Sequence, residues 1–373
     1  VTAAELQALL DGAGDVCVLP GGVVDLPAQT RLVVPRGMRI DGNGTTLRVA
    51  GGEVPRHHLI DASRLPDGSV LEVHDLRIEG PDTTGWDPAT DVPVGAIAWV
   101  WYRTWASRMV VRDVTVTGGY GTGVLRSGGG SLEVERCDLS GWVDAIACFE
   151  DHGGSGSLTV RDSVLRAPAH SKYSSIGIYV HPHLEVDLQR VTGTGWNRYL
   201  CYLNGSMASR GVHRLDRVHA VDCSLIQTGA GSTTVLTGCS ESGDPANGGS
   251  CLRGPVLSSG SRWEGAGTLG LVPGDRSTRR FLGDVVRPGR SWLSCSPGTT
   301  GTFELVDCSI ELTGQGSLCY VVSASTVDAT LTSCRIDAPP SHRAMSVLGG
   351  VVRLVDTPRP ATVRVQAPGR LEG

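Results

Sequence analysis

A ten-residue segment recurs along the chain, and a recurring unit this short leaves few folds open. It reads LEVHDLRIEG from Leu71, MVVRDVTVTG from Met109, LEVERCDLSG from Leu132, LTVRDSVLRA from Leu158 and LEVDLQRVTG from Leu184. Further copies are TVLTGCSESG from Thr234, FELVDCSIEL from Phe303 and ATLTSCRIDA from Ala329, with a looser one around His213. Each copy alternates apolar and polar residues, bends at a small or polar residue, and leads into a second short apolar strand such as DAIACFED, GIYVHPH or LCYLNGS. A unit of about 26 residues cannot bury its own apolar face, so the copies must stack. Strands recurring in one chain direction stack in parallel, about 4.8 Å apart.

Aligning the copies puts Leu76, Val114, Cys137, Ser163, Gln189, Val218, Cys239, Cys308 and Cys334 at one sixth position. The cysteines there read as a ladder of small buried hydrophobes, since no C-x-x-C pair occurs and eleven Cys cannot all pair within the chain. Fifty-one Gly with 5% aromatics suits many turns and short strands. A formal charge of -5 supplies no basic footprint, so nucleic acid is not an expected partner. No apolar run is long enough to span a membrane. At the N-terminus Thr2 and Glu5 have capping-box spacing, Leu6, Leu9 and Leu10 share one face, and Gly12 stops the segment, which predicts a short helix plugging the open end of the coil.

With the capping helix, the LPGG and IDGNGTTL opening turns and the L-x-V-x-x-C-x-L coils, the chain resembles the pectin lyase-like superfamily of right-handed parallel β-helix proteins. The resemblance implies an all-β solenoid over nearly the whole chain. It implies a polysaccharide partner, which the superfamily's lyases, glycosidases, epimerases and phage tailspikes share, and an extracellular or virion-associated setting. The calcium-binding aspartates and catalytic arginine of pectate lyases have no counterpart here, nor does the aspartate set of polygalacturonases. One β-helix domain is expected over 1–373, with a capping helix at 1–14, main coils at 15–263, an irregular insertion at 264–300 and C-terminal coils at 301–373.

The candidate site starts from SSIGIYVHPH, residues 174–183. If Ile176, Ile178 and Val180 point inward, Tyr179, His181 and His183 point outward. Aligning the second strands of neighbouring coils adds Trp99, Trp101, Arg126, Phe149, Asp151 (or Glu150 in its place), Tyr202, Asn204 and Gln227 to the outward row. Trp86, in the long insertion before Gly95, is expected above it. Flat aromatic faces beside hydrogen-bonding groups suit sugar rings, and an elongated row suits a polymer.

A uronate lyase or epimerase needs a cation for the sugar carboxylate, a base and an acid. Arg126 or Lys172, the single lysine of the chain, supplies the cation; His181 supplies the base, and Tyr179 or Tyr202 the acid. Trp99, Trp101, Phe149, His183, Asn204 and Gln227 would bind substrate. A hydrolase would use Asp151 or Glu150 with a second acid such as Asp87 or Asp91, because Asp144 is expected to lie far back on its strand or inward. His181 and His183 also have the i, i+2 spacing of a strand metal site with Asp151 as third ligand, although no cofactor is implied. The competing class is a non-catalytic glycan-binding β-helix, monomeric or trimeric, with the region from Gly274 as the expected trimer surface.

Overall fold

The computed structural model describes residues 1–51, 53–81, 94–100, 106–149, 156–168, 176–181, 184–203, 211–229, 231–243, 249–264, 269–271, 276–288, 291–295, 300–312, 317–321, 326–340, 343–366 and 369–373. The fold is a parallel β-helix, nearly all β, with one short N-terminal helix at Ala3–Gly12. It comprises two compact units, Val1–Asn197 and Arg198–Gly373. Among the described residues no helix is long and apolar enough to cross a membrane.

The repeat sets the register of the first unit. Met38, Leu71, Met109, Leu132, Leu158 and Val186 pair in one column, and Ile40, Val73, Val111, Val134, Val160 and Leu188 in the next. All twelve are buried, at about 1.5 to 3 kcal/mol for each fully buried aliphatic side chain. Each coil then turns through a residue in the left-handed region: Asp75, Asp113, Arg136, Asp162 and Arg190 in the first unit, and Arg217, Asp307, Ser333 and Asp356 in the second. Asp and Asn tolerate this conformation better than most side chains. The ladder residue follows it. Ser163 Oγ accepts from Cys137 N at 3.1 Å, Ser261 Oγ from Cys239 N at 3.2 Å and Thr357 Oγ1 from Cys334 N at 3.0 Å, so a small polar group there satisfies the bend of the preceding coil. Cys137, Cys239, Cys308 and Cys334 are buried with free thiols, as are Cys17, Cys148 and Cys201.

Two expectations are corrected here. Leu158 pairs with Val186, so the copy beginning at Leu184 is out of step by two residues; Val191, fully buried, takes the ladder position and Gln189 lies half-buried outside it. Within the span 264–300, where an irregular insertion is expected, the described residues include regular strands. Thr278–Leu282 and Val285–Arg287 continue the long sheet, while Leu269–Leu271 and Ser291–Cys295 pair with each other. Arg279 and Asp284 stand at inward positions and hide the repeat. Asp284 accepts from Ser261 N at 2.9 Å, Trp263 Nε1 at 2.9 Å and the Ser258 hydroxyl at 2.5 Å, and the Arg279 Nε donates to Leu252 O at 3.2 Å. Arg279, Phe281, Val286 and Trp292 are buried, so this region builds coil.

The helix does cap the coil, held by the reciprocal Thr2 and Glu5 bonds. Leu6 and Leu10 are buried, but Leu9 is exposed, because a stripe on one face takes only two of the three leucines. Gln7 bonds both ways to the outermost strand, its Nε2 donating to Val33 O at 2.9 Å and its Oε1 accepting from Val33 N at 2.8 Å. An open sheet edge is thereby closed.

Candidate functional site

A second sheet of the first unit runs through Leu32–Val33, Ile60–Asp61, Gly95–Val100, Thr122–Ser127, Asp144–Phe149 and Ile176–Val180. Its register settles the facing. Ile97, Val124, Ile146 and Ile178 pair in one inward column; Ala98, Leu125, Ala147 and Tyr179 pair in the adjacent outward one. Val100, Ser127 and Phe149 form the next outward column, and His181 joins its end through His181 N to Cys148 O at 2.9 Å.

Trp99 and Arg126 pair with each other on the inward side and are buried at 0% and 3% exposure, so both leave the outer row. The Arg126 guanidinium sits 4.5 Å from the Trp99 ring centre, and burial pushes its pKa down to about 10. In Gly95–Val100 and Thr122–Ser127 the expected facing fails by one residue, which in a strand reverses every side chain, whereas Phe149 and Tyr179 face as expected. Leu125 and Val100 stand outward in place of Arg126 and Trp99.

Phe149, Tyr179 and His181 form an aromatic group on the outer face, with ring centres 5.3 Å apart for Phe149 and Tyr179, 5.9 Å for Phe149 and His181 and 6.0 Å for Tyr179 and His181. Val100, Phe149 and Tyr179 pack on buried Ala98, Leu125 and Ala147. His181 Nδ1 is buried without a hydrogen-bond partner among the described residues.

Beside this group lies a pocket of about 230 Å³ lined by Thr122, Leu125, Val143, Asp144, Phe149, Ile176 and Tyr179. Asp144 is its titratable group besides Tyr179. The carboxyl is only 5% exposed, and burial alone raises its pKa to about 8, so at neutral pH it holds a proton. Asp144 stands in an inward column, opposite Ile176 and two residues before Ile146, as expected, and yet it lines the same pocket as Phe149. The chain can bring it to the pocket because Gly141 passes against its carbonyl: a Cβ on Gly141 would stand 2.0 Å from Asp144 O. The signal in the sequence was a single acid in the apolar run GWVDAIACF.

In the second unit Tyr202 and Gln227 are register partners on the outer face of Tyr199–Leu203 and Ser224–Thr228, both half-buried, with the Tyr199 ring 6.3 Å from that of Tyr202. Trp86, Asp87, Asp91, Trp101, Glu150, Asp151, Lys172, His183 and Asn204 lie outside the described residues. Among the described residues no group of three His, Cys, Asp or Glu is disposed to hold a metal ion.

No protein-family model matches the chain, and no curated protein sequence does. Among solved structures, the A-module of a mannuronan C-5 epimerase from Azotobacter vinelandii aligns at TM-score 0.45 and 13% identity, covering 100% of this chain and 93% of that one. Tailspike protein 3 of bacteriophage CBA120 aligns at TM-score 0.48 and 13% identity, over 98% of this chain and 56% of that one. A capsular polysaccharide depolymerase, the tailspike of the Acinetobacter baumannii bacteriophage Fri1, aligns at TM-score 0.38 and 11% identity, over 98% of this chain and 61% of that one.

Proposed function

We propose that the protein acts on an acidic polysaccharide at the outer face of the sheet ending in Ile176–Val180, by β-elimination or epimerisation. The observation that carries this reading is the pocket in which an apolar and aromatic wall holds a protonated carboxyl, Asp144, with Tyr179 also lining it and the His181 ring next to that of Tyr179. The wall suits the C–H face of a sugar ring, and the two kinds of polar group suit opposite halves of a proton-transfer reaction.

His181 is the base in this reading. Its half-buried imidazole removes the proton on the carbon beside the sugar carboxylate. Asp144 is the acid, a role that Tyr179 shares in the epimerase variant. In elimination the electron pair left by the proton forms the new carbon–carbon double bond, the bond to the glycosidic oxygen breaks, and the Asp144 proton goes to that oxygen. In epimerisation no bond to oxygen breaks, and a proton returns from the opposite face. With Arg126 turned into the core, Lys172 is the remaining cation assigned to the substrate carboxylate. Tyr202 and Gln227 serve as further sugar contacts. A substrate of this kind places the protein outside the cell or on a virion.

The test is an assay of polyuronates for the ultraviolet absorbance of a conjugated double bond, for reducing ends and for exchange of substrate protons with deuterated solvent. Absorbance identifies elimination, and exchange without absorbance identifies epimerisation. In either case His181→Ala is expected to lower turnover by about 10²- to 10⁴-fold with little change in glycan affinity. Reducing ends alone would overturn the reading in favour of hydrolysis, with Asp144 as the acid and Asp151 or Glu150 as its partner. Binding with silence in all three assays would leave a glycan-binding module.

A further inference from the structure

The same sheet carries a second pocket towards its N-terminal strands, and its chemistry is the reverse of the first. About 260 Å³ in volume, it is lined by Arg31, Arg56, His57, His58, Asp61 and Ser63, with Val100 at its border. Its one carboxylate is already committed. Asp61 is 2% exposed, lies 2.5 Å from Arg31 and accepts the Ser63 N–H at 2.8 Å. Burial works to raise its pKa, but the Ser63 hydrogen bonds and the Arg31 charge outweigh burial and hold the carboxyl below its usual range. Asp61 thus acts as the bracket that fixes Arg31.

The donors remain. Arg56 and His57 are exposed, and among the described residues no carboxylate lies within ion-pair distance of Arg56. His58 Nδ1 accepts the Gly95 N–H at 2.9 Å, which leaves the ring proton on Nε2 as a donor. Burial lowers the His58 pKa, so the ring is neutral at pH 7 and contributes that hydrogen bond without charge. Two guanidinium groups against one carboxylate make the pocket cationic, and a planar guanidinium is suited to receive a second carboxylate in a bidentate pair.

Position gives the pocket its meaning. Asp61 pairs with Ala98 and Ala98 with Leu125, which lines the Asp144 pocket. Two strand spacings, about 10 Å along the coil axis, separate the two. Val100 borders the cationic pocket and packs on the apolar cluster with Phe149 and Tyr179, so the surface between them is continuous. We infer that the pocket is an anion subsite, receiving the carboxylate of a sugar residue displaced along the polymer from the one held at Asp144. This deepens the proposed function and rests on it: the substrate is acidic at more than one residue.

The experiment is calorimetric binding of polygalacturonate, polymannuronate and polyguluronate, and of the same polymers with their carboxyl groups reduced, to wild type and to Arg56→Gln. Arg56 is exposed, so the substitution leaves folding intact, which a melting curve checks. Arg56→Gln is expected to weaken the best-bound polyuronate about tenfold and to leave binding of its reduced form unchanged, while Tyr179→Ala weakens both. Equal affinity of wild type and Arg56→Gln for the polyuronate, with Tyr179→Ala still impaired, overturns the subsite and spares the proposed function. An equal loss on the acidic and reduced forms overturns the assignment to a carboxylate. Absence of polyuronate binding by the wild type overturns both.

Discussion

In the first unit the same coils present two outer faces of opposite character. Outside the long sheet, Arg108 pairs with Glu133 through two bonds of 2.8 Å, Arg112 lies 2.9 Å from Glu135, Arg136 bonds Asp113 at 2.7 and 2.8 Å, and Arg161 lies 3.4 Å from Asp187. Outside the other sheet, the corresponding columns hold Ala98, Leu125, Ala147, Phe149 and Tyr179. Both faces back onto the same narrow core, so the core does not require the difference. A ladder of alternating charge keeps stacked coils soluble and discourages other chains from adding to the sheet. An apolar and aromatic strip does neither. In a solenoid the inward residues report the fold, whereas a change in the outward ones from coil face to coil face reports the site.

The comparison is broken most severely if the apparent outer aromatics are treated alike. Trp99→Ala should cost about 3 to 5 kcal/mol of stability, because the indole is buried and Arg126 would lose the ring beneath it. Tyr179→Ala, on the outer face, should cost far less while impairing glycan binding. Denaturant titration of the two variants decides: equal stability losses would place both side chains on one face and reverse the register of the site sheet.

A smaller effect follows from Asp144. Folded, it keeps its proton up to about pH 8, whereas in the unfolded chain it releases it near 3.8. Between those values the folded state binds more protons, so its contribution to stability is full below about pH 4, falls as pH rises, and is gone above about pH 8. Asp144→Asn removes that slope. Glu241, raised to about 7 by burial against the hydrogen bonds of Ser250 and Leu225, slopes in the same sense but is present in both proteins, so the difference isolates Asp144. Melting temperatures of the two proteins from pH 4 to pH 9 test this, and parallel curves would mean that the carboxyl is solvated rather than held in the pocket.

The smallest effect belongs to the charged face. Arg108→Ala breaks a doubly bonded but partly exposed pair, and should change stability by about 0 to 1 kcal/mol and leave catalysis unchanged. A loss in activity from this variant would show that the charged face also meets substrate, and the contrast between the two faces would dissolve.

Much of this was legible without coordinates. The period of the repeat, the capping box at Thr2 and Glu5, and the small residue after each left-handed turn are local features, set by alternation, propensity and backbone sterics, and they determined a parallel coil closed by a helix. The copies VLSSGSRWEG and TRRFLGDVVR are disguised, because Ser258, Arg279 and Asp284 occupy inward positions where other coils have hydrophobes. Their polarity is satisfied by partners on other coils, Trp263 and Leu252 among them, which no single segment discloses. The facing of GAIAWV was likewise undetermined. Where both alternating sets are apolar, alternation identifies two faces without saying which is the core, and the pairing of Ile97 with Val124 and of Val124 with Ile146 decided it. Sequence by itself determined the coil; tertiary structure decided which side chains meet across it. The proton on Asp144 depends on Phe149, Leu125 and Tyr179 closing around it from three successive strands, and the cationic pocket depends on Arg31, Arg56 and Asp61 meeting across a parallel pair. Desolvation and charge pairing of this kind act through space between coils, and a linear repeat fixes the spacing of coils but not the environment that forms between them.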